Sequence, residues 1–361
     1  MRPARGMKIA AFVAASGLAL FAAACSKPAD NPSGGSSSAA GAAYKACMVT
    51  DTGGIDDHSF NAGTWAGMEK AKAANTAITT SYVASSAMSD YQPNLTNQAA
   101  AGCKYIQAVG GLMADATTAA AKANPKIQFA IVDSGNGDQA NVYPIQFETQ
   151  QAAYLAGYLA AGYSKSGKVG TYGGKKIPPV TIFMDGFADG VKKYNEVHKK
   201  NVVLLGWDKD KQDGLFTDDF VKQDAGKAKS DALAAQGADV IMPVAGGAGL
   251  GTAANAGTKY TVIWVDSDGC TTTKYCSVML TTVVKNMTDL VSDALGKAAT
   301  SNGTLLNNTG AKGTLQNNGV SLAPYHEFDT KIDATLKAEI DKLKADIIAG
   351  TITVNSPAQP K

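Results

Sequence analysis

The chain has 361 residues, a formal net charge of +2 and 45% hydrophobic residues, a length and composition that suit a folded protein of two domains. A net charge this close to zero, without a long block of lysine or arginine, gives no electrostatic support for a nucleic-acid partner. After residue 21, no apolar run approaches the roughly 20 residues that a membrane-spanning helix needs.

The first 25 residues have the pattern of an export signal. Basic residues precede an apolar stretch over 9–21, and small residues then lead to Cys25 in "AAAC". This ending resembles a lipoprotein cleavage site, in which the cysteine takes the lipid, although Ala22 replaces the usual leucine. An ordinary signal peptide with an incidental cysteine is the alternative. We expect 1–25 to be a lipoprotein signal with Cys25 as the lipidation site, which predicts an anchor on the extracytoplasmic face of the cell membrane.

Residues 26–43 are rich in serine, glycine, proline and alanine and contain almost no large apolar side chain. Such a segment cannot bury a core and behaves as a flexible chain. It is therefore predicted to be a tether that separates a folded body from the membrane surface.

From residue 44 onward, short apolar runs alternate with helical patterns. Strands that are apolar along their whole length, alternating with helices, are typical of parallel sheets covered on both faces. We assign strands to the runs 44–51, 78–84, 105–110, 127–133, 168–173, 202–207, 238–247 and 260–266. Two such series predict two doubly wound α/β lobes joined by a hinge, with a ligand cleft between them. The expected limits are 44–147 plus about 280–310 for the N-terminal lobe, and 148–279 plus about 320–361 for the C-terminal lobe.

The four cysteines after Cys25 fall into two pairs. Cys270 and Cys276 flank a short polar loop, and Cys47 and Cys103 each open a predicted strand. Exported proteins form disulfides readily, so the bridges Cys47–Cys103 and Cys270–Cys276 are predicted. A metal site is the alternative, but no CxxC motif or histidine cluster accompanies these cysteines.

Several predicted strands end on an acidic residue or a glycine. Open α/β sheets bind ligands in the crevice outside the carboxyl ends of their strands, so two facing lobes would bring these ends to one cleft. Each of them alone also fits an ordinary strand end, and their number favours a binding site. The ends in question are Asp51, Gly110, Asp133, Gly206–Trp207, Gly246–Gly247 and Asp266.

The segment 51–71 joins the first predicted strand to the first predicted helix. Asp57 stands where the helix begins, and we expect it either to cap the helix or to contact a ligand. Phe60 and Asn61 belong to the first helical turn, from which both side chains can reach the crevice. An aromatic face beside an amide suits a planar heterocycle.

Five motifs occur in a fixed order along the chain: "TDTGGIDDHSFN", "IPPVTIFMDGFADGV", "GADVIMPVAGGAGLG", "VDSD" and "TTVVKNM". From about Cys47 to the C-terminus, the sequence resembles the basic membrane protein family of lipid-anchored proteins that bind purine nucleosides for ABC importers. The resemblance implies a type I periplasmic-binding fold, a ligand such as adenosine, guanosine or inosine, and an ABC permease as partner. We further expect a monomer without cofactor, metal or nucleic acid.

The same resemblance implies roles for residues of the first turn and of a glycine pair. Phe60 is expected to stack on one side of the base, and Asp57 and Asn61 to make polar contacts from the same turn. Gly246 and Gly247 would let the backbone approach the ligand closely.

Further along the chain, the resemblance assigns an acidic contact to Asp266 and a basic contact to Lys285 in "TTVVKNM". The stretch "FVKQDAGKAK" resembles the family's F-x-D-x-x-x-G-K pattern and nominates Phe220 as the second stacking aromatic. The usual acidic positions are replaced there and an additional segment precedes it, so Trp207 and Phe216 stay as alternatives.

Other classes of function fit the sequence less well. Gly247, Gly249 and Gly251 follow a predicted strand and imitate the dinucleotide-binding turn of an oxidoreductase, but Thr252 occupies the last glycine position of that fingerprint. A hydrolase would need a G-x-S-x-G motif near one of the three histidines, and none is present. A surface receptor or adhesin would use the same two lobes. We therefore predict a nucleoside-binding protein and not an enzyme.

Overall fold

The structure is a computed structural model that describes residues 43–360. The predicted signal region with Cys25 and the tether residues 26–42 lie outside the described residues, as does Lys361. Among the helices formed by 43–360, none combines the length and the apolar character needed to cross a bilayer.

Strands and helices alternate along most of the described chain. The strands are β1 (Tyr44–Thr52), β2 (Ile78–Ser85), β3 (Tyr105–Val109), β4 (Gln128–Val132), β5 (Val142–Phe147), β6 (Lys168–Gly173), β7 (Val203–Leu205), β8 (Trp207–Asp208), β9 (Asp213–Gly214), β10 (Val240–Val244), β11 (Thr261–Asp266), β12 (Met279–Lys285), β13 (Ala311–Gly313) and β14 (Val320–Leu322). The helices are α1 (Phe60–Ala74), α2 (Tyr91–Ala100), α3 (Ala114–Ala123), α4 (Thr149–Tyr163), α5 (Pro178–His198), α6 (Gln223–Ala235), α7 (Gly249–Ala256), α8 (Gly269–Thr272), α9 (Met287–Thr300) and α10 (Ala334–Ile348). Each run that was predicted to be a strand contains a strand in the structure. Strands β5 and β12 are among those that were not predicted from the sequence.

The strands form two six-stranded sheets and a small hairpin of β8 and β9. The first sheet has the order β13-β5-β4-β3-β1-β2 and is parallel throughout. The second has the order β14-β12-β11-β10-β6-β7 and is parallel except for β14, which runs antiparallel to β12 at the edge. The predicted fold class, two parallel-sheet α/β lobes, is confirmed.

Helices cover both faces of each sheet, which explains why the central strands are apolar along their whole length. In β1, Ala46 and Met48 share a core with α1 and α9, whereas Cys47 and Val49 share a second core with α2 and α3. In the second sheet, α4 and α5 pack on one face, and α6 and α7 pack on the other. The two sheets therefore belong to two separate lobes of the same three-layer design.

The chain crosses between the two sheets at three places that lie side by side. These crossings follow β5, follow β12, and connect β13 to β14. They are hydrogen-bonded into a hinge, since the backbone N–H groups of Glu148 and Asn286 donate to the carbonyl oxygens of Gly313 and Gly319 at 2.8 Å each. The return to the N-terminal lobe, expected at about 280, comes after Lys285 because β12 belongs to the second sheet.

Both predicted disulfides are present. Cys47 on β1 bonds Cys103, which lies just before the neighbouring strand β3, with a Cα–Cα distance of 6.0 Å. Cys270 and Cys276 close a short loop after β11, with a Cα–Cα distance of 4.3 Å. The first bridge ties two strands of one lobe, and the second shapes a loop at the rim of the other.

Helices α4 and α5 pack so closely that their backbones touch. A Cβ atom on Gly157 of α4 would collide with the carbonyl oxygen of Phe187, and one on Gly190 of α5 would collide with that of Tyr154. This close approach fixes the position of α5, whose first turns face the cleft between the lobes.

We predict opposite effects for alanine at two helical glycines. Gly157→Ala should lower the free energy of unfolding by about 1–3 kcal/mol, because the new methyl group forces α4 and α5 apart. Gly296→Ala on α9 should raise it by about 0.5–1 kcal/mol, because a Cβ there meets no atom within 4 Å and alanine favours the helix. Urea denaturation of both variants measures the difference. Equal stabilities would show that the α4–α5 contact is looser than described.

Candidate functional site

A cavity lies between the two lobes, at the carboxyl ends of the central strands of both sheets. The space between its walls, part of it open to solvent, is about 580 Å³. The N-terminal lobe and the C-terminal lobe both contribute to its walls. The lining includes Asp51, Asp57, Phe60, Asn61, Gly110, Asp133, Pro179, Val180, Phe183, Phe220, Gly246, Gly247, Asp266 and Lys285.

The turn before α1 is organised by one buried carboxylate. Asp57 Oδ1 accepts hydrogen bonds from the backbone N–H groups of Ser59 at 3.1 Å and Ala62 at 3.0 Å, and Oδ2 accepts one from Asn61 at 2.8 Å. Asp57 thus caps the helix that starts at Phe60, which is the first of the two roles expected for it. The capped first turn of α1 carries Phe60 and Asn61, which both line the cavity.

The side chain of Asn61 is held between two carboxylates. Its Nδ2 donates to Asp51 Oδ1 at 2.8 Å and to Asp57 Oδ2 at 3.2 Å. Asn61 is only 2% exposed, and its Oδ1 has no hydrogen-bond partner among residues 43–360.

Lys285 ends β12 and places a buried ammonium group at the hinge side of the cavity. Its Nζ donates to Asp133 Oδ2 at 2.6 Å and lies 3.5 Å from Asp266 Oδ1. Asp133 follows β4 of the first sheet and Asp266 ends β11 of the second, so this lysine pairs with a carboxylate from each lobe. Aromatic rings also face Nζ, with centroids at 4.9 Å for Phe183, 5.1 Å for Phe60 and 5.8 Å for Phe147.

The two aspartates that pair with Lys285 have unusual backbone conformations. Asp133 has φ 62° and Asp266 has φ 70°, values in the left-handed region that non-glycine residues rarely adopt. Such conformations are concentrated at binding and catalytic sites, where the surrounding structure enforces them. The Ser59 hydroxyl donates to Asp266 Oδ2 at 2.7 Å, while Oδ1 of the same carboxylate has its ion pair with Lys285 but accepts no hydrogen bond from the described part of the chain.

Burial changes the ionisation of the cavity. It raises the pKa of the Asp51 carboxyl to about 7 and also raises the pKa of Asp57. The pKa of Asp133 is raised by burial too, in spite of the opposing effect of Lys285. Burial lowers the pKa of Lys285, but the charges of Asp133 and Asp266 outweigh it and the net shift is upward. The lysine therefore stays charged, and the carboxyl groups of Asp51, Asp57 and Asp133 are easier to protonate than free carboxyl groups.

The lobes touch at the rim of the cavity. Besides the bond from Ser59 to Asp266, the hydroxyl of Ser267 donates to the carbonyl oxygen of Ser59 at 2.9 Å. Thr272, inside the disulfide-closed loop, donates from its hydroxyl to the carbonyl oxygen of His58 at 2.9 Å. Polar contacts from the C-terminal lobe thus hold the turn before α1.

The structure brings together every predicted ligand contact except Trp207 and Phe216, the two alternatives to Phe220. Phe60 and Phe220 reach the cavity from opposite lobes, and the backbone of Gly247 lies next to the carbonyl of Phe220. Trp207 instead is buried away from the cavity, where its Nε1 donates to Asp185 at 3.0 Å. Phe216 packs edge-to-face on the Trp207 ring at 6.0 Å and is not part of the lining either. Among the three candidates for the second stacking aromatic, Phe220 is the one that lines the cavity.

Sequence reasoning missed the wall that α5 provides. Its first turns place Pro179, Val180 and Phe183 in the lining, and Phe183 is buried directly against Lys285. These residues belong to the motif "IPPVTIFMDGFADGV". The motif supported the family resemblance, but none of its residues was assigned to the ligand site, and it was the sequence feature that could have indicated this wall.

A possible metal site near the rim does not have free ligands. Asp268, Cys270 and His326 lie close together there. The sulfur of Cys270 is bonded to Cys276, so it is no thiolate ligand, and His326 Nε2 already pairs with Asp268 Oδ2 at 2.8 Å.

The family model and the similar sequences point to the same protein family. Residues 44–357 match the family model described as ABC transporter substrate-binding protein PnrA-like. The chain is 34% identical over 331 residues to the ABC transporter nucleoside-binding protein BmpA of Lactococcus lactis, an alignment covering 86% of this chain and 89% of that protein. It is 31% identical to the CD4+ T-cell-stimulating antigen of Listeria monocytogenes, with 88% and 89% covered.

Comparison with solved structures agrees on the fold. A solute-binding protein of an ABC transporter system from Aeropyrum pernix superposes with a TM-score of 0.77 at 20% identity, covering 87% of this chain and 93% of that one. At this identity the similarity establishes the two-lobed architecture and not the ligand.

We predict that Lys285→Met destabilises the protein in a pH-dependent way. Removing the ammonium leaves the buried Asp133 and Asp266 without a cation, which costs about 3–5 kcal/mol when they are ionised. The pKa of Asp133 then rises further above its unfolded value, so the folded state holds its proton more tightly and stability falls as the pH increases. The difference from wild type in urea denaturation should therefore be larger at pH 8 than at pH 5.

The matched control is Lys297→Met, which breaks an exposed ion pair with Asp293 on α9. Exposed pairs of this kind contribute little, so its effect should be small at both pH values. A Lys285→Met variant that behaves like this control would contradict the central position given to the buried lysine.

Proposed function

The chain belongs to the family of PnrA-like ABC transporter substrate-binding proteins, and on this basis we propose that it captures a purine nucleoside and delivers it to an ABC importer. One observation carries the choice of ligand: two aromatic rings from opposite lobes line the same cavity as a carboxylate and an ammonium group. These residues are Phe60, Phe220, Asp266 and Lys285. A relative is named as a nucleoside-binding protein, which supports the same choice.

The aromatic residues would hold the base. A purine placed between Phe60 and Phe220 gains stacking worth about 1–3 kcal/mol per base. The rings belong to different lobes, so the base would join the lobes as well as bind to each. Gly246 and Gly247 beside Phe220 leave the backbone open to close approach from the ligand.

The charged residues would hold the sugar. Ribose hydroxyls need acceptors when they are buried, and Asp266 Oδ1 is a buried acceptor that no donor of the described residues reaches. Lys285 is next to it and supplies a donor. The pair therefore suits a vicinal diol, which both donates and accepts hydrogen bonds.

The charge of the cavity favours nucleosides over nucleotides. Four carboxyl groups face it, from Asp51, Asp57, Asp133 and Asp266, and Lys285 is already paired. Arginine is absent from the sequence after residue 5, so no guanidinium can bind a phosphate in the cavity. A phosphate group would therefore meet net repulsion, because the charge of Lys285 is already balanced by Asp133 and Asp266.

Two of the three glycines that suggested an oxidoreductase, Gly249 and Gly251, have a packing role instead. A Cβ on Gly251 would collide with the carbonyl oxygen of Gln223 at the start of α6, and one on Gly249 would press on the ring of Trp264. Both glycines thus bring α7 close to its neighbours. This accounts for them without a dinucleotide and supports a binding protein rather than an enzyme.

We also propose where the protein works. The lipobox-like sequence at Cys25 and the tether 26–43 support a lipid anchor on the extracytoplasmic face of the cell membrane. From that position a monomer would present the loaded, closed lobes to the membrane permease of the importer.

Calorimetric titration of the purified protein in detergent tests the ligand. Adenosine, guanosine or inosine should bind, and the corresponding monophosphate should bind roughly a hundredfold more weakly or worse, because a buried unpaired charge costs several kcal/mol. Equal affinity for a nucleoside and its monophosphate would contradict the electrostatic argument. Binding of NAD in place of nucleosides would favour the oxidoreductase.

A pair of variants tests the same proposal from the protein side. Phe220→Ala should weaken nucleoside binding roughly ten- to hundredfold through the loss of stacking, whereas Phe216→Ala, outside the cavity, should leave affinity unchanged.

A further inference from the structure

The described chain continues beyond α10 as an irregular segment, residues 349–360, which we call the C-terminal strap. Helix α10 packs on α4 of the C-terminal lobe, so the strap starts from that lobe. Its residues Val354 and Ser356 are buried. The last residues of a domain are usually poorly ordered unless contacts tie them down, so the contacts of the strap indicate what it does.

A buried carboxylate anchors the strap to the C-terminal lobe. Asp185 of α5 is 0% exposed, and its Oδ2 accepts a hydrogen bond from the hydroxyl of Ser356 at 2.5 Å. Its Oδ1 accepts from Trp207 Nε1 at 3.0 Å and from Gln212 Nε2 at 2.8 Å. A buried carboxylate is stable only when donors satisfy both of its oxygens, so Ser356 is a fixed point of the strap.

Beyond this anchor the strap is held in one conformation. The hydroxyl oxygen of Ser356 accepts from the N–H of Ala358 at 3.0 Å. The N–H of Ser356 donates to Gln359 Oε1 at 3.1 Å, and the N–H of Gln359 donates to the carbonyl oxygen of Ser356 at 3.2 Å. Pro357 and Pro360 restrict φ at their positions and leave the free strap few conformations to lose. The end of the strap is therefore short and stiff, and its position depends on the anchor.

The far end of the strap reaches the N-terminal lobe. Lys312 belongs to β13 of the first sheet, and its Nζ donates a long hydrogen bond of 3.5 Å to the carbonyl oxygen of Pro360. The same ammonium group lies 3.5 Å from Oε1 of Glu148, at the first hinge crossing. Residues 358–360 also line a crevice beside the hinge, together with the end of β5. The strap thus links the lobes in addition to the three crossings of the chain.

This crevice is continuous with the ligand cavity. The two share lining residues from both lobes, among them Leu112 of the N-terminal lobe and Pro179 of the C-terminal lobe. Opening the cleft therefore widens the crevice as well. Because the strap is anchored on α5, this movement separates Pro360 from Lys312 and breaks their contact.

We propose that the C-terminal strap stabilises the closed arrangement of the lobes and thereby slows the release of the bound nucleoside. The inference rests on the proposed function, in which the nucleoside is enclosed between the lobes. A ligand leaves such a site only after the lobes open, so a contact that is lost on opening lowers the release rate. One hydrogen bond of ordinary strength corresponds to a change of roughly two- to tenfold.

Two lysines that each donate to a carbonyl oxygen of the strap provide a matched test. Lys312 joins the strap to the opposite lobe, whereas Lys209 donates to Asn355 at 2.7 Å and pairs with Asp189 on α5, all within the C-terminal lobe. Stopped-flow displacement measures the release of the tightest binder among adenosine, guanosine and inosine. Release should be roughly two- to tenfold faster from Lys312→Met than from wild type, and unchanged in Lys209→Met. Equal rates in Lys312→Met and wild type would overturn the inference.

The anchor separates an effect of the strap from an effect of the ion pair between Lys312 and Glu148. Ser356→Ala frees the strap at its other end and should also speed release. If both residues act through the strap, the double variant releases the nucleoside no faster than the faster single variant. Effects that multiply would contradict the proposal. If Ser356→Ala does not fold, Glu148→Gln makes the same distinction, because it removes the ion pair and should leave the release rate near that of wild type.

The strap can also be tested without a ligand. If none of the three nucleosides binds, the proposed function fails, and small-angle X-ray scattering of the free protein decides on the strap. Lys312→Met should then have a larger radius of gyration than Lys209→Met, because its lobes are less restrained. Equal radii would overturn the inference.

Discussion

The site depends on one buried ammonium group. Lys285 sits where the chain leaves the second sheet for the first lobe, and it is held by Asp133 from one lobe and Asp266 from the other. A buried lysine is tolerable only with such partners, and these carboxylates in turn require the lysine. Both aspartates have left-handed backbone conformations, and three aromatic rings lie near the same ammonium group. The hinge, the charge of the cavity and the aromatic wall therefore form one unit.

The same unit would link binding of the proposed ligand to lobe closure. The rim contacts from Ser59 to Asp266 and from Ser267 to Ser59 exist only while the lobes are together. A base stacked between rings of opposite lobes would add its own binding free energy to these contacts and shift the population toward the closed form. The disulfide-closed loop contributes through Thr272, which reaches His58 across the cleft. A permease that recognises closed lobes would thereby recognise the loaded protein.

Much of the fold and of the site could be predicted from the sequence, because parallel strands buried on both faces leave long apolar runs and end at the cleft. The exceptions have physical causes. In β5, Pro144 interrupts the expected pattern of a strand, and in β12 the buried Thr281 and Thr282 replace apolar residues. Trp207 follows an apolar run but turns inward, because the buried carboxylate of Asp185 binds its indole N–H.

Other features depend on contacts between distant segments, which no local pattern reveals. The ion pairs of Lys285 join three strand ends, and the wall made by α5 results from the tight packing of that helix on α4.

The central claim is that a ligand bound between the lobes draws them together. Small-angle X-ray scattering of the purified protein, with and without saturating nucleoside, tests it most directly. The account predicts a smaller radius of gyration in the presence of the nucleoside, with scattering that matches the closed arrangement of residues 43–360. Tight binding without any compaction would contradict it.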